Sequence, residues 1–216
     1  MVALLLVLVL LARAASSSSA DADCIVLEDF RNAPVGWFPP DWKVRKDVGK
    51  GVYTVEEERG RKFLRAEARD VGIQAAKERS WDPRTYPVLR WSWRPHRFPT
   101  GADEQSGKND SALAVYAVVS HSRFTVKSLK YVWSERVPAD THLTSSAGMT
   151  QARVLRSGRA GLDEWNDAHA NVVEDARRYF GESQLSAVEG IAVLTDADDT
   201  HSEAIGDYAD FRACRE

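Results

Sequence analysis

Cys24-Ile25-Val26-Leu27-Glu28-Asp29-Phe30 near one end of the chain and Ile205-Gly206-Asp207-Tyr208-Ala209-Asp210-Phe211-Arg212-Ala213-Cys214 near the other decide the fold. Both read as strands, and the only two cysteines sit at their outer tips. The pair looks like the two edges of one β-sheet, and a first strand lying beside a last strand is how a β-sandwich or jelly roll closes. The first segment leads into the aromatic, proline-rich stretch Gly36-Trp37-Phe38-Pro39-Pro40-Asp41-Trp42.

Working inward, short segments of period two recur between turn signals, the pattern of an all-β fold. Val52 to Glu57 and Phe63 to Ala68 flank the turn Glu58-Arg59-Gly60-Arg61-Lys62, and Gly72 to Glu78 follows. In Val88 to Arg94, Leu89, Trp91 and Trp93 share one face while Arg90, Ser92 and Arg94 share the other. Pro95 to Asp110 has no periodicity and reads as a long loop. Ala112 to Val119 is apolar at nearly every position, as a strand covered on both faces is, which places it centrally in a sheet. Leu129 to Trp133, Ala152 to Ser157, Val188 to Asp196 and Glu203 to Ala213 complete the strands. One helix is expected from Leu162 to Phe180, with Leu162, Trp165, His169, Val172, Val173, Ala176, Tyr179 and Phe180 on one stripe, Asp163 capping its start and Gly181 at its end. The expectation is a jelly-roll β-sandwich with one amphipathic helix packed on it.

The chain of 216 residues is 44% hydrophobic and 28% charged, ordinary globular usage, with a formal net charge of -3. No basic block is present, which disfavours nucleic-acid binding. Ala3 to Leu11 is an apolar run too short to span a bilayer, followed by small residues at Ala12-Arg13-Ala14 and Ala20-Asp21-Ala22 and a serine tract, Ser16 to Ser19. Residues 1–22 read as a cleaved export signal and serine-rich segment, with an uncleaved membrane anchor as the alternative, and 23–216 as a single domain without a transmembrane span in the mature form. Export, to the periplasm or the medium, implies an oxidising compartment in which Cys24 and Cys214 pair.

Signatures of catalysis are absent: no Gly-x-Ser-x-Gly elbow, no His-Glu-x-x-His helix, no phosphate loop and no dinucleotide fingerprint. Of the scattered histidines, His169 sits in the helical stripe and reads as a core residue, while His121 follows the central strand and could reach a cleft. Trp91 and Trp93 on one strand, and Tyr131 and Trp133 on another, could stack on sugar rings or fill the sandwich core. If they fill the core, Arg94 and its neighbours on the alternate face point outward. Thr195-Asp196-Ala197-Asp198-Asp199-Thr200 clusters carboxylates at a strand end, with Asp207 and Asp210 in the next strand. Asp196, Asp198 and Asp210 are the oxygen ligands a calcium ion would take, against the plainer reading of an Asp-rich turn. Asn109-Asp110-Ser111 fits the glycosylation pattern.

Leu89-Arg90-Trp91-Ser92-Trp93, Asp110-Ser111-Ala112, Lys130-Tyr131-Val132-Trp133, Trp165, Asn171, Asp175-Ala176-Arg177-Arg178-Tyr179-Phe180-Gly181 and Thr195 to Thr200 together resemble a family of bacterial exported proteins known only as a domain of unknown function. That resemblance implies no activity and no catalytic residue. Leu27-Glu28-Asp29-Phe30 with Trp37, and Tyr208-Ala209-Asp210-Phe211, look like the first and last strands of carbohydrate-binding-module jelly rolls, where a structural calcium often lies beside those strands. The last strand here lacks the asparagine that usually follows the aspartate. The candidate ligand-binding set is thus Trp91, Trp93, Arg94, Asp110, Tyr131, Trp133, Asn171 and Asp175. The expected function is non-catalytic binding of a glycan or another cell-envelope ligand. The alternatives are an envelope carbohydrate-active enzyme using Asp carboxylates such as Asp110, Asp175, Asp196 or Asp198, and a structural or protein-interaction module.

Overall fold

The structure, a computed structural model, describes residues 23–120, 126–182 and 185–216. The expected export signal and His121 lie outside the described residues. The strands are β1 (Cys24–Glu28), β2 (Lys43–Val44), β3 (Tyr53–Glu58), β4 (Arg61–Arg69), β5 (Ala75–Trp81), β6 (Val88–Arg97), β7 (Leu113–Ser120), β8 (Val126–Ser134), β9 (His142–Ser145), β10 (Thr150–Ser157), β11 (Asn166–Asn171), β12 (Val188–Leu194) and β13 (Glu203–Cys214), with one α-helix among the described residues, α1 (Val172–Phe180). They form a jelly-roll β-sandwich. One sheet of six strands runs β11-β6-β13-β4-β3 with β1 also on β13, and the other, of seven, runs β2-β5-β12-β7-β8-β10-β9. Pairing is antiparallel except between β8 and β10.

The first and last strands do lie side by side, Cys24 opposite Cys214, and those cysteines are bonded with a Cα separation of 4.1 Å. β13 is not an edge, however. It pairs with β6 along one side and with β4 and then β1 along the other, so the last strand is an interior strand of its sheet.

Period two sorts the side chains as the fold requires. Leu89, Trp91 and Trp93 of β6 face Leu129, Tyr131 and Trp133 of β8 across the layer between the sheets. Their rings interlock, with Trp91 and Tyr131 centroids 5.7 Å apart and Trp93 and Trp133 also 5.7 Å apart. β7 is buried on both faces because its alternate residues join a second apolar strip, Ala114 and Tyr116 beside Val132 and Ala192, on the outside of the seven-stranded sheet.

The expected helix is shorter than its apolar stripe. Asn166–Asn171 is a strand laid antiparallel on β6, and the helix begins only at Val172. Its cap is Asn171, whose side chain accepts from the amides of Val173 and Glu174 at 3.1 Å, while Gly181 ends it in the left-handed conformation. As part of a strand, His169 turns outward and is exposed rather than buried in the core. Among the described residues no helix is long and apolar enough to cross a membrane.

Candidate functional site

The outer face of the seven-stranded sheet carries a groove of about 590 Å³. Its floor crosses the strands through Leu194 of β12, Tyr116 of β7, Ser128 and Lys130 of β8 and Thr150 of β10, each standing on the face opposite the core. Arg45 and Lys46, the segment Gly72-Ile73-Gln74, and Ser145-Ser146 form its walls. Lys130 places its ammonium 5.8 Å from the centre of the Tyr116 ring, and both residues are largely buried. Burial raises the Tyr116 phenol above its ordinary value, so it enters any contact as a neutral hydroxyl. The groove thus offers hydroxyls and amides, an apolar strip and three cationic side chains, Arg45, Lys46 and Lys130.

An acidic cluster adjoins the end of the groove marked by Gly72 and Asn109. Asp196 follows β12, where its amide donates to Ser111 O at 2.9 Å and the neighbouring Thr195 hydroxyl donates to Ala112 O at 2.8 Å. These bonds bring Asp196 beside Asp110. Asp110 is itself fully buried, accepting from the amides of Asp199 and Thr200 and from the Thr200 hydroxyl. Ligand oxygens of Asp110, Asp196 and Asp198 all lie within 4.8 Å of one another. Asp196 Oδ1 is buried without a hydrogen-bond partner. Burial, together with the Asp198 and Asp110 carboxylates, pushes Asp196 up to about 8.

Gly72 makes this arrangement sterically possible. It bridges Asp196 backbone to backbone, and a Cβ there would collide with Asp196 Oδ1 and stand 3.1 Å from Asp198 Oδ1. Gly72→Ala is therefore expected to destabilise the protein by about 1–3 kcal/mol, the cost of overpacking a closed site, as read by urea denaturation. An unchanged midpoint would show that the carboxylate moves aside freely.

The remaining sequence candidates are placed elsewhere. Trp91, Trp93, Tyr131 and Trp133 are at most 2% exposed and belong to the interlayer core, so none is a stacking platform open to a ligand. Asn171 is the helix cap. Asp175 lies against Tyr131 and Arg153 on the inner side of the helix, 3.6 Å from the Arg153 guanidinium, and burial raises its carboxyl.

Arg94 does leave the core face, but it is buried on the outside of the six-stranded sheet. There it donates to Asp207 at 2.7 Å and to Glu58 at 2.9 Å, with its guanidinium 4.6 Å from the Trp165 ring. Asp207, fully buried, also bonds Arg65 and His96, and His96 reaches Asp163 at 2.6 Å with its other nitrogen.

Asp210, expected with Asp196 and Asp198, does not join their cluster. A bulge gives it φ +53°, and its carboxylate accepts from Arg61 at 2.5 Å. Beside the first strand, Glu28 accepts from the Lys77 ammonium at 2.7 Å and the Trp42 indole at 2.9 Å, so a side-chain cation already occupies that position. Asp110 takes the place beside Asp196 and Asp198 that the sequence offered to Asp210. Tyr116 and Lys130 are not among the sequence's candidate ligand-binding residues, although strict alternation with Leu129 and Tyr131 puts Ser128 and Lys130 on the outward face.

The profile of one family, described as protein of unknown function (DUF3047), matches residues 36–212. The chain belongs to that family. A comparison with curated proteins finds no match. Among solved structures, the chain is similar to TmCBM61 in complex with β-1,4-galactotriose, at 12% identity over 87% of this chain and 94% of that one, with a TM-score of 0.41. It is similar as well to CBM28, a module specific for non-crystalline cellulose, at 11% identity over 88% and 94% with a TM-score of 0.45. The family 11 xylanase from Neocallimastix patriciarum aligns at 11% identity over 79% and 89% with a TM-score of 0.40. Likeness at that level says nothing of what this chain binds.

Proposed function

We propose that this protein is a non-catalytic binding module whose ligand is an acidic glycan, seated across the outer face of the seven-stranded sheet. The groove carries the reading. It is open and polar, its hydroxyls and amides match a polyhydroxylated chain, and Arg45 and Lys46 in its wall and Lys130 in its floor give it positive charge. A hydroxyl-rich ligand bearing carboxylates would find donors throughout and an apolar strip, Ile73 and Leu194, for its C–H faces. The Cys24–Cys214 bond supports life in an oxidising compartment, and with the apolar run Ala3 to Leu11 it supports an exported protein, periplasmic or secreted, whose glycan belongs to the cell envelope.

Affinity electrophoresis through gels containing neutral or uronate-bearing polysaccharides tests this. Retardation is expected in the acidic gels, weakened about tenfold in Lys130→Ala and Tyr116→Ala and unchanged in Arg90→Ala on the opposite sheet. Free migration in every gel would sink the glycan reading and move weight to a protein-interaction or structural role. Turnover of a polysaccharide, abolished by Asp196→Asn, would replace it with an enzyme.

A further inference from the structure

We propose that Asp110, Asp196 and Asp198 hold an oxygen-preferring divalent cation, calcium foremost, at the end of the outer groove. Two independent observations point there. The first is convergence: the loop before β7 and the segment after β12, remote in sequence, place three carboxylate oxygens within 4.8 Å of one another. The second is an orphaned atom. Asp196 is 7% exposed, and its Oδ1 is buried with no donor to meet it. A buried carboxylate oxygen without a partner is costly, and a cation is the group that satisfies such an oxygen while also offsetting the mutual repulsion of its neighbours.

Among the described residues no side-chain cation sits within the cluster, and Lys130 acts on Asp196 through its charge alone. No lysine or arginine among the described residues forms an ion pair with Asp110, Asp196 or Asp198, whereas the buried Asp207 is met by Arg65, Arg94 and His96. Asp110 is fixed by the Thr200 hydroxyl and two amides, which orient its carboxylate without neutralising it. The donor set is oxygen alone, with neither sulfur nor imidazole in the cluster, which suits calcium, magnesium or manganese rather than zinc or copper. Asp198 is exposed, leaving one side open to the water ligands that a hard cation retains. Gly72 contributes by what it lacks, since its missing Cβ is the space in which the Asp196 and Asp198 oxygens approach each other.

The assignment does not rest on glycan binding and is tested with metal alone. Thermal denaturation of the full chain is compared in calcium, magnesium, manganese and chelator, with equilibrium dialysis to count bound metal. Calcium is expected to raise Tm by roughly 5–10 °C at a hundredfold excess over Kd, with one equivalent retained. Asp196→Asn should abolish that rise, since it takes one carboxylate from the three that converge. Asp210→Asn, at the Arg61 pair, should keep the full rise. Flat melting curves in all three salts with no retained metal would overturn the proposal, as would a calcium shift that survives Asp196→Asn. Should Asp196→Asn fail to fold, dialysis of the wild type and of Asp198→Asn decides the matter.

Discussion

Replacing Asp207 by asparagine is expected to cost about 3–5 kcal/mol of stability, a large share of what holds a domain folded. The residue is fully buried and joins Arg65, Arg94 and His96 across β4, β6 and β13. An amide cannot balance that charge, so two guanidiniums would be left facing each other in a closed space. The same cluster sets a pH signature. Burial pushes Asp207 up, but hydrogen bonds from His96 and Arg65 outweigh it and hold the carboxyl below the usual range. His96 is raised, chiefly by its hydrogen bond to Asp207. A depressed acid contributes stability above its unfolded value, about 3.9, that is lost as pH falls through the folded value. A raised imidazole contributes stability that is complete below about 6.5 and is lost as pH rises through its folded value. Urea unfolding from pH 4 to 9 should therefore show a decline above neutrality that is shallower in His96→Gln. Identical slopes in the two proteins would separate His96 from the cluster.

Reducing the Cys24–Cys214 bond, or replacing both cysteines by serine, is expected to lower stability by about 4–5 kcal/mol. The bridge spans a sequence separation of 190, and the entropy it removes from the unfolded chain grows with the logarithm of loop length. For a domain of this size that is a fall in Tm of roughly 10–20 °C, readable by calorimetry with and without reductant. A Tm that barely moves would mean that the β1–β13 ladder holds the ends unaided.

Much of the architecture is legible in the residues, because burial in a sandwich obeys a period of two. Leu89, Trp91 and Trp93 announce one core face, Leu129, Tyr131 and Trp133 the face that meets it, and the unbroken apolar run of β7 announces a strand covered twice. The sequence pattern places the helix start too early because Trp165 and His169 fall on the stripe of α1 by coincidence of spacing. The polar strand Asn166–Asn171 has little β-propensity of its own and is held by its ladder with β6. A better signal was present, since Asn171 followed three residues later by Glu174 is a helix-start pattern. The acidic cluster was half legible. Asp196 and Asp198 lie two residues apart in the chain, but Asp110 joins them only because β7 pairs with β12, a non-local fact that no local pattern encodes. Asp210 was misplaced for the converse reason, a bulge that breaks the alternation and turns its side chain toward Arg61.

The position of β13 has a kinetic consequence. Its contacts with β6, β4 and β1 close loops as long as 113, 142 and 190 residues, seen in Arg94–Asp207, Arg65–Asp207 and the cysteine bridge. The seven-stranded sheet is complete by Leu194, whereas the other sheet has no centre until Glu203–Cys214 arrives. Assembly should therefore be slow, on the order of milliseconds to seconds, and ordered, with the groove-bearing sheet able to form first. A chain stopped before Glu203 would present β4 and β6 as unpaired edges, the surfaces on which partly folded β-proteins aggregate.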